Sequence, residues 1–398
     1  MNKAPALQQL PMTRTGILHA CLADEALDSE ARAEFKAVYQ RVDDHYQREF
    51  RELKERVKTA YIVCDPDVDT ATGVVVTAGE EAADLRGLLE SLLERANNSR
   101  VSRQALLHAF ELSSLFDLQL SVNLDQFAQV LLYSRGTTPR EEERRSWFGL
   151  VRRTLRFNSY DRVVLFLRFP EAMPESRGAE PYPPGSIMLK LFQNVPENDL
   201  EMLFPYTRVG MRLRDKLAVG IPAIISGVTV FTTRVGTTLA LLGSLVGFWL
   251  GLHSERATLD RAAVLAVLAG LGAVVAYLWK QFSKYRNRKL KFSQALTESL
   301  YFKLLDNNAG VLLRLLDEAE DEECRECLLA GCCLLAAGTP ITAVALDRSI
   351  EAWLAPRWQR RVDFDVEDAL GKLERLGIAC QANGLWQIAP AWRGSARA

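Results

Sequence analysis

Two uncharged runs constrain this chain more than any other feature. Residues 235–252 and residues 262–279 each extend for 18 positions without Asp, Glu, Lys, Arg or His. At about 1.5 Å per residue each makes a helix about 27 Å long, close to the thickness of a bilayer's hydrocarbon core. The nine residues between them, "HSERATLDR" at 253–261, are polar and long enough to join antiparallel helices. The pattern predicts a transmembrane hairpin over 235–279 in preference to a helical pair inside a large core.

Flanking charge orients such a hairpin. Arg208, Arg212, Arg214 and Lys216 precede it, opposed only by Asp215. Lys280, Lys284, Arg286, Arg288, Lys289 and Lys291 follow it without an acid among them. Both clusters belong on the cytoplasmic side under the positive-inside bias, so both termini are expected there, at a bacterial inner membrane or an organellar membrane. Residues 217–234 add an apolar approach interrupted by Gly220, Pro222 and Gly227. A third crossing would split the basic clusters across the membrane, so this stretch reads as an interfacial lead-in. Gly243, Gly247 and Gly251 recur every fourth residue in the first run, and Ala266 and Gly270 offer a small face in the second. Small residues let helix backbones approach closely, here within the hairpin or between copies of the chain.

The remaining chain reads as globular, and its formal net charge of −1 gives no global attraction to nucleic acid or anionic lipid. Seven scattered cysteines do not resemble a disulfide framework, and the first residues lack the apolar stretch of a secretory signal. Residues 1–150 read as a helical region, including "LDQFAQVLLYSRG" with Gly136 as its C-terminal cap. Residues 151–216 read as a small α+β segment with strands near 162–169 and 186–193, each a nearly continuous apolar run suited to burial on both faces. "LFQNVPENDLEMLFP", residues 191–205, then passes from strand to a short acid-fronted helix, whose Leu200, Leu203 and Phe204 form a docking face.

Residues 280–338 read as helices broken at 306–310. Cys324 and Cys327 form a C-x-x-C pair, yet one helix supplies two metal ligands at most, so they are weak candidates and neither metal nor cofactor is expected. Residues 339–398 read as a winged-helix-like module, with a helix over "DVEDALGKLERLG" and a hairpin about Asn383-Gly384. That helix is slightly acidic where a DNA-reading helix is basic, so no nucleic acid is expected. The fold class is therefore mainly α (α+β): a helical cytosolic body with a small β-sheet, a two-helix transmembrane hairpin and a C-terminal winged-helix-like module.

"LKLFQNVPENDLEMLFP", the runs that follow it, "LTESLYFKLLDNNAGVLLRLLDEAEDEE" and "VDFDVEDALGKLERLG" together resemble the transmembrane-protein-143-like family. With "YSRG" and "YDRVVLFLRF" the resemblance covers residues 120–380. It implies a membrane-anchored protein with a domain of unknown function and brings no catalytic residues. The helix bearing Cys324, Arg325 and Cys327 departs from it, since a more lysine-rich stretch is expected there.

No P-loop, G-x-G-x-x-G, H-E-x-x-H or G-x-S-x-G motif occurs, and His19, His45, His108 and His253 lie far apart in sequence. The expectation is a non-enzymatic anchor or scaffold in the lipid bilayer, presenting a cytosolic body to a protein partner or to further copies of itself. Two alternatives are a pore built from the glycine-striped hairpin and a membrane-bound enzyme with an unrecognised site. The second run lacks Ser, Thr, Asn and Gln, which counts against a pore.

Overall fold

The computed structural model of the chain describes residues 10, 12–66, 78–111, 118–146, 151–171, 182–211, 250, 261–358, 362 and 364–395. Helices α1 (Arg14–Leu22), α2 (Ser29–Ile62) and α3 (Ala78–Arg95) lead into strand β1 (Ser99–Arg100) and helix α4 (Arg103–Glu111). Strands β2 (Leu118–Ser121), β3 (Gln129–Ser146), β4 (Val151–Arg168) and β5 (Ile187–Pro196) follow, then a 3-10 segment, Glu197–Leu203, and β6 (Arg208–Met211). Helix α5 (Arg261–Lys303) and strand β7 (Leu304–Asn307) precede helices α6 (Ala309–Ala337), α7 (Ala343–Trp358) and α8 (Val366–Arg375). A hairpin of β8 (Ala379–Ala382) and β9 (Leu385–Ile388) and a short helix α9 (Pro390–Ser395) close the order.

These elements fall into two compact units. The larger comprises Met1–Leu112, Asn123–Leu200 and Lys303–Ala398, and the smaller Ser113–Val122 and Glu201–Phe302. In the larger unit an antiparallel sheet runs in the order β1-β3-β4-β5-β7. Leu131, Tyr133, Val164, Phe166, Ile187, Leu189 and Leu191 project from it into the helical core. Their alternates Leu132, Val163, Leu165, Leu167, Met188 and Phe192 are buried as well. Burial on both faces is why these strands are written as unbroken apolar runs and not as an apolar–polar alternation.

The core is organised around α6. Every residue from Glu322 to Leu335 is buried, charges included, and α1, α2, α3, α7 and α8 pack around this helix. A helix apolar on all sides has no solvent face to satisfy. Helix α2 meets it with Phe35, Val38, Val42, Tyr46 and Phe50, spaced three or four apart on one side. The start of α6 is tied to the sheet by Asn308, whose backbone N–H donates to the Leu189 carbonyl at 2.6 Å. Asn308 Oδ1 in turn accepts from the Leu189 N–H at 3.2 Å.

Three local expectations change. Residues 129–136 form a strand and not the end of a helix, because a short apolar run such as "VLLY" satisfies both periods and the pairing with β4 decides between them. Gly136 is no helix cap: it sits inside β3 at φ +68°, across from Asp161. The break expected at 306–310 holds a fifth strand, β7, which pairs with β5 through Lys190–Asn307 and Leu191–Asp306. In the smaller unit, β2 pairs antiparallel with β6.

The membrane hairpin is corrected. Among the described residues no helix is long and apolar enough to cross a membrane. Residues 235–249 and 251–260, and with them Gly243, Gly247 and Gly251, lie outside the described residues. Residues 262–279, with Ala266 and Gly270, belong to α5, a single element of 43 residues. It continues without a break through the basic segment 280–291, so the uncharged window is not a separate span closed by its flanks. A window average registers a run of composition, whereas the folded element sets its own limits. The two-span topology, the cytoplasmic placement of both termini at an inner or organellar membrane, and the pore rest on that hairpin and are withdrawn with it.

Candidate functional site

The middle of α6 supplies the most concentrated set of buried charges described in the larger unit. Glu322, Glu323, Arg325 and Glu326 are all buried. Buried charge is tolerated only when paired and hydrogen-bonded, and each of these is. Helix α8 contributes Lys372, itself buried, whose Nζ lies 2.6 Å from Glu326 Oε2, 2.8 Å from Glu323 Oε2 and 2.5 Å from Asp368 Oδ2. From the end of α3, Arg95 Nε donates to Glu323 Oε1 at 2.6 Å, while its Nη1 meets Glu49 at 2.8 Å. The same guanidinium stacks 4.4 Å over the Phe50 ring. Asn97 Nδ2 donates to Glu326 Oε1 at 3.0 Å and to Glu322 Oε1 at 3.2 Å. Arg325 pairs with Glu322 at 2.5 Å and donates to the carbonyls of Leu10 and Met12.

Carboxylates outnumber cations in this cluster, and burial acts on the imbalance. Burial pushes the Glu326 carboxyl up to about 7, against the pull of Lys372. Glu322 is raised for the same reason, with Arg325 opposing. For Lys372 burial acts downward but is outweighed by Glu326 and Glu323, so its ammonium is held charged.

Two cavities open on either side of Asn97. One, of about 510 Å³, has Glu322 and Glu326 at its wall together with Glu94, Asp347, Asp365 and Glu367. Among the described residues no Lys, Arg or His lines it. Val362, Phe364 and Val366 give it an apolar side. The other, of about 590 Å³, is mixed in sign, with Arg95, Lys372 and Arg375 beside Glu49, Glu323 and Asp368.

The residues singled out from the sequence are dispersed relative to this cluster. Cys324 and Cys327 are the nearest. Cys324 Sγ accepts from Arg14 Nη1 at 3.7 Å, and Cys327 Sγ shares a hydrogen bond with Tyr46 Oη at 3.6 Å. Burial raises both thiols, Cys327 to about 12. Among the described residues no group of three or more His, Cys, Asp or Glu is placed to hold a metal ion. Leu200, Leu203 and Phe204 are buried, although their segment is a 3-10 helix kinked at Asp199. Arg208 lies in β6, and Lys280, Lys284, Arg286 and Lys291 are exposed on α5, which also contains Arg288 and Lys289. Arg212, Arg214 and Lys216 lie outside the described residues.

Sequence reading missed Glu322, Glu323, Glu326 and Lys372 as a group. One signal was available: the run "LLAGCCLLAA" after them is apolar on every side of a helix, which marks a core helix whose charges need partners from elsewhere. Nothing local to Lys372 distinguishes it from a surface lysine.

Fold and site together define an α+β protein whose buried central helix carries a closed ion-pair cluster beside an acid-walled cavity. Residues 160–310 match a protein family of unknown function, DUF3754. That span runs from within β4 to the first turn of α6 and ends before the charge cluster. No solved structure matches the chain.

Proposed function

We infer that the chain is a non-enzymatic scaffold that presents its larger unit to a partner and engages a positively charged group of that partner in the acid-walled cavity. The observation that carries this reading is the wall itself: six carboxyl side chains, and no cation among the described residues lining it. Such a cavity concentrates cations and repels anions. Burial disfavours the ionised forms of Glu322 and Glu326, so a bound cation would draw protons off them and its binding would strengthen as pH rises. The apolar side formed by Phe364 and its neighbours suits the stem of a lysine or arginine side chain. The protonated, buried cysteines support a binding role over thiol chemistry.

Fluorescence anisotropy with a labelled, end-capped tetra-arginine peptide tests the reading on the full chain. Binding is expected, weakening with salt and strengthening from pH 6 to pH 8 as Glu326 ionises. E94Q/E367Q, at two exposed rim positions, is expected to weaken it roughly tenfold, about the effect of removing partly screened charges. A tetra-glutamate peptide is expected not to bind. Absence of tetra-arginine binding, or equal binding by the E94Q/E367Q variant, would overturn the reading.

A further inference from the structure

Strand pairing sets two arginines side by side in the larger unit. Arg135 of β3 lies directly opposite Arg162 of β4, and Arg162 has Gln193 of β5 on its other side. Both arginines continue the rows of Tyr133 and Val164, on the sheet face that carries the helical core. From α6, Glu318 pairs with Arg135 at 2.8 Å, and Arg314 pairs with Asp306 of β7. Arg135 also donates to the Ala96 carbonyl at 3.2 Å. Arg162 makes no ion pair or hydrogen bond with a described residue, and its Nη1 is sealed from solvent without an acceptor. Burial pushes this guanidinium below its ordinary value, and Arg135 and Arg314 add to the effect against the pull of Glu318 and Asp161. Like charges directly opposite across a sheet destabilise it, and a buried donor without an acceptor is costly.

We propose that Arg162, with the remaining donors of Arg135 and Arg314, binds a small phosphate-type oxyanion. Glu318 matches Arg135 and Asp306 matches Arg314, so Arg162 is the cation in excess, and an anion supplies both the acceptors and the counter-charge it lacks. The matched arginines keep donors to offer. Arg135 is engaged through Nη1 and Arg314 through Nε, which leaves Nε and Nη2 of the first and both terminal nitrogens of the second. Geometry selects the class of anion. Two of the guanidinium groups come from the sheet and the third from the helix packed on it, so their donors approach from more than one plane. A tetrahedral oxyanion presents acceptors in several directions, whereas a carboxylate presents two in a single plane. Arg162 is half-buried, which gives the ion a route from solvent. The inference does not rest on the acid-walled cavity, none of whose lining residues takes part.

Thermal unfolding of the full chain in phosphate and in chloride at equal ionic strength tests the site. Phosphate is expected to raise the midpoint of the wild type above its value in chloride, and acetate is expected not to. R162M is expected to weaken phosphate binding at least roughly tenfold, as loss of a charge-assisted fork does, while unfolding no earlier than the wild type in chloride. E318Q removes the nearest competing carboxylate and is expected to act in the opposite sense, strengthening phosphate binding roughly threefold. Inorganic phosphate and glycerol 3-phosphate form two arms: a response to both identifies the end of a phosphomonoester, and a response to the first alone a free ion. No rise in phosphate over chloride overturns the proposal, as does an equal rise in acetate or in the R162M variant. Weaker phosphate binding by E318Q also overturns it. So does R162M unfolding earlier than the wild type in chloride, the mark of a guanidinium satisfied within the chain.

Discussion

Lys372 Nζ lies 2.6 Å from Glu326 Oε2, joining α8 to the central helix inside the core of the larger unit. The same ammonium holds the buried Glu323 and the exposed Asp368, so its removal takes a cation from two buried carboxylates, Glu323 and Glu326, at once. K372M is expected to lose about 3–5 kcal/mol, the usual result of breaking a buried pair from one side. Adding E326Q should recover part of that loss, with a coupling of at least about 1 kcal/mol. Urea unfolding of both single variants and the double measures it. Strictly additive losses would show that the two side chains do not act as a pair.

Glu326 also sets a pH dependence. Its carboxyl rises from the ordinary value of 4.5 to about 7 on folding, chiefly through burial, so the folded state holds this proton more tightly than the unfolded chain. The associated stability is complete below 4.5 and is lost as pH rises through about 7. E326Q cannot titrate there. The stability of wild type relative to E326Q should therefore fall between pH 4.5 and pH 7.5, by at most roughly 3 kcal/mol. Urea midpoints of both proteins at the two pH values provide the check, and a constant difference would remove Glu326 as the group responsible.

Gly136 combines a left-handed backbone, φ +68°, with a crowded neighbour. An added Cβ would overlap the Asp161 carboxylate and approach its Cγ to 3.0 Å. Gly338, at φ +65°, has the same backbone need and nothing within 4 Å of the added atom. G338A should cost about 1 kcal/mol, the left-handed penalty alone, and G136A about 3 kcal/mol. Thermal unfolding of the two variants side by side separates conformation from crowding. Equal losses would mean that Asp161 moves aside freely.

The thiols predict their own silence. Cys327 is fully buried and pushed up to about 12, and burial raises Cys333 as well. Cys380 is the one cysteine that is not buried. Iodoacetamide at pH 7.5 should therefore modify Cys380 first, and the cysteines of α6 only after denaturant is added. Peptide mass spectrometry over time reads the order. Early labelling at Cys327 would contradict the packing of α6.

Local physics made much of the chain legible. Helix α2 was evident from its three-and-four spacing, and the strands containing residues 163–167 and 187–192 from their unbroken apolar runs. The β8–β9 turn was evident from Asn383-Gly384, both of which take positive φ, at 54° and 77°. In each case the information lies within a few residues: side-chain periodicity, a missing Cβ, a short polar side chain that tolerates the left-handed region. Residues 129–136 could not be assigned this way, because a run that short fits either period until β4 pairs with it.

Long-range pairing settled the remainder. Lys372 and Glu326 are 46 positions apart, and neither sequence neighbourhood shows that the other is its partner. Whether a lysine lies in solvent or among carboxylates is a property of the packed helices, because the cost of burying charge is met only by groups that the fold brings to it. The uncharged run 262–279 teaches the same lesson in reverse. Its composition was plain from the residues, but its boundaries belong to α5, whose continuity through the basic segment depends on backbone hydrogen bonding along all 43 residues and on no 18-residue window.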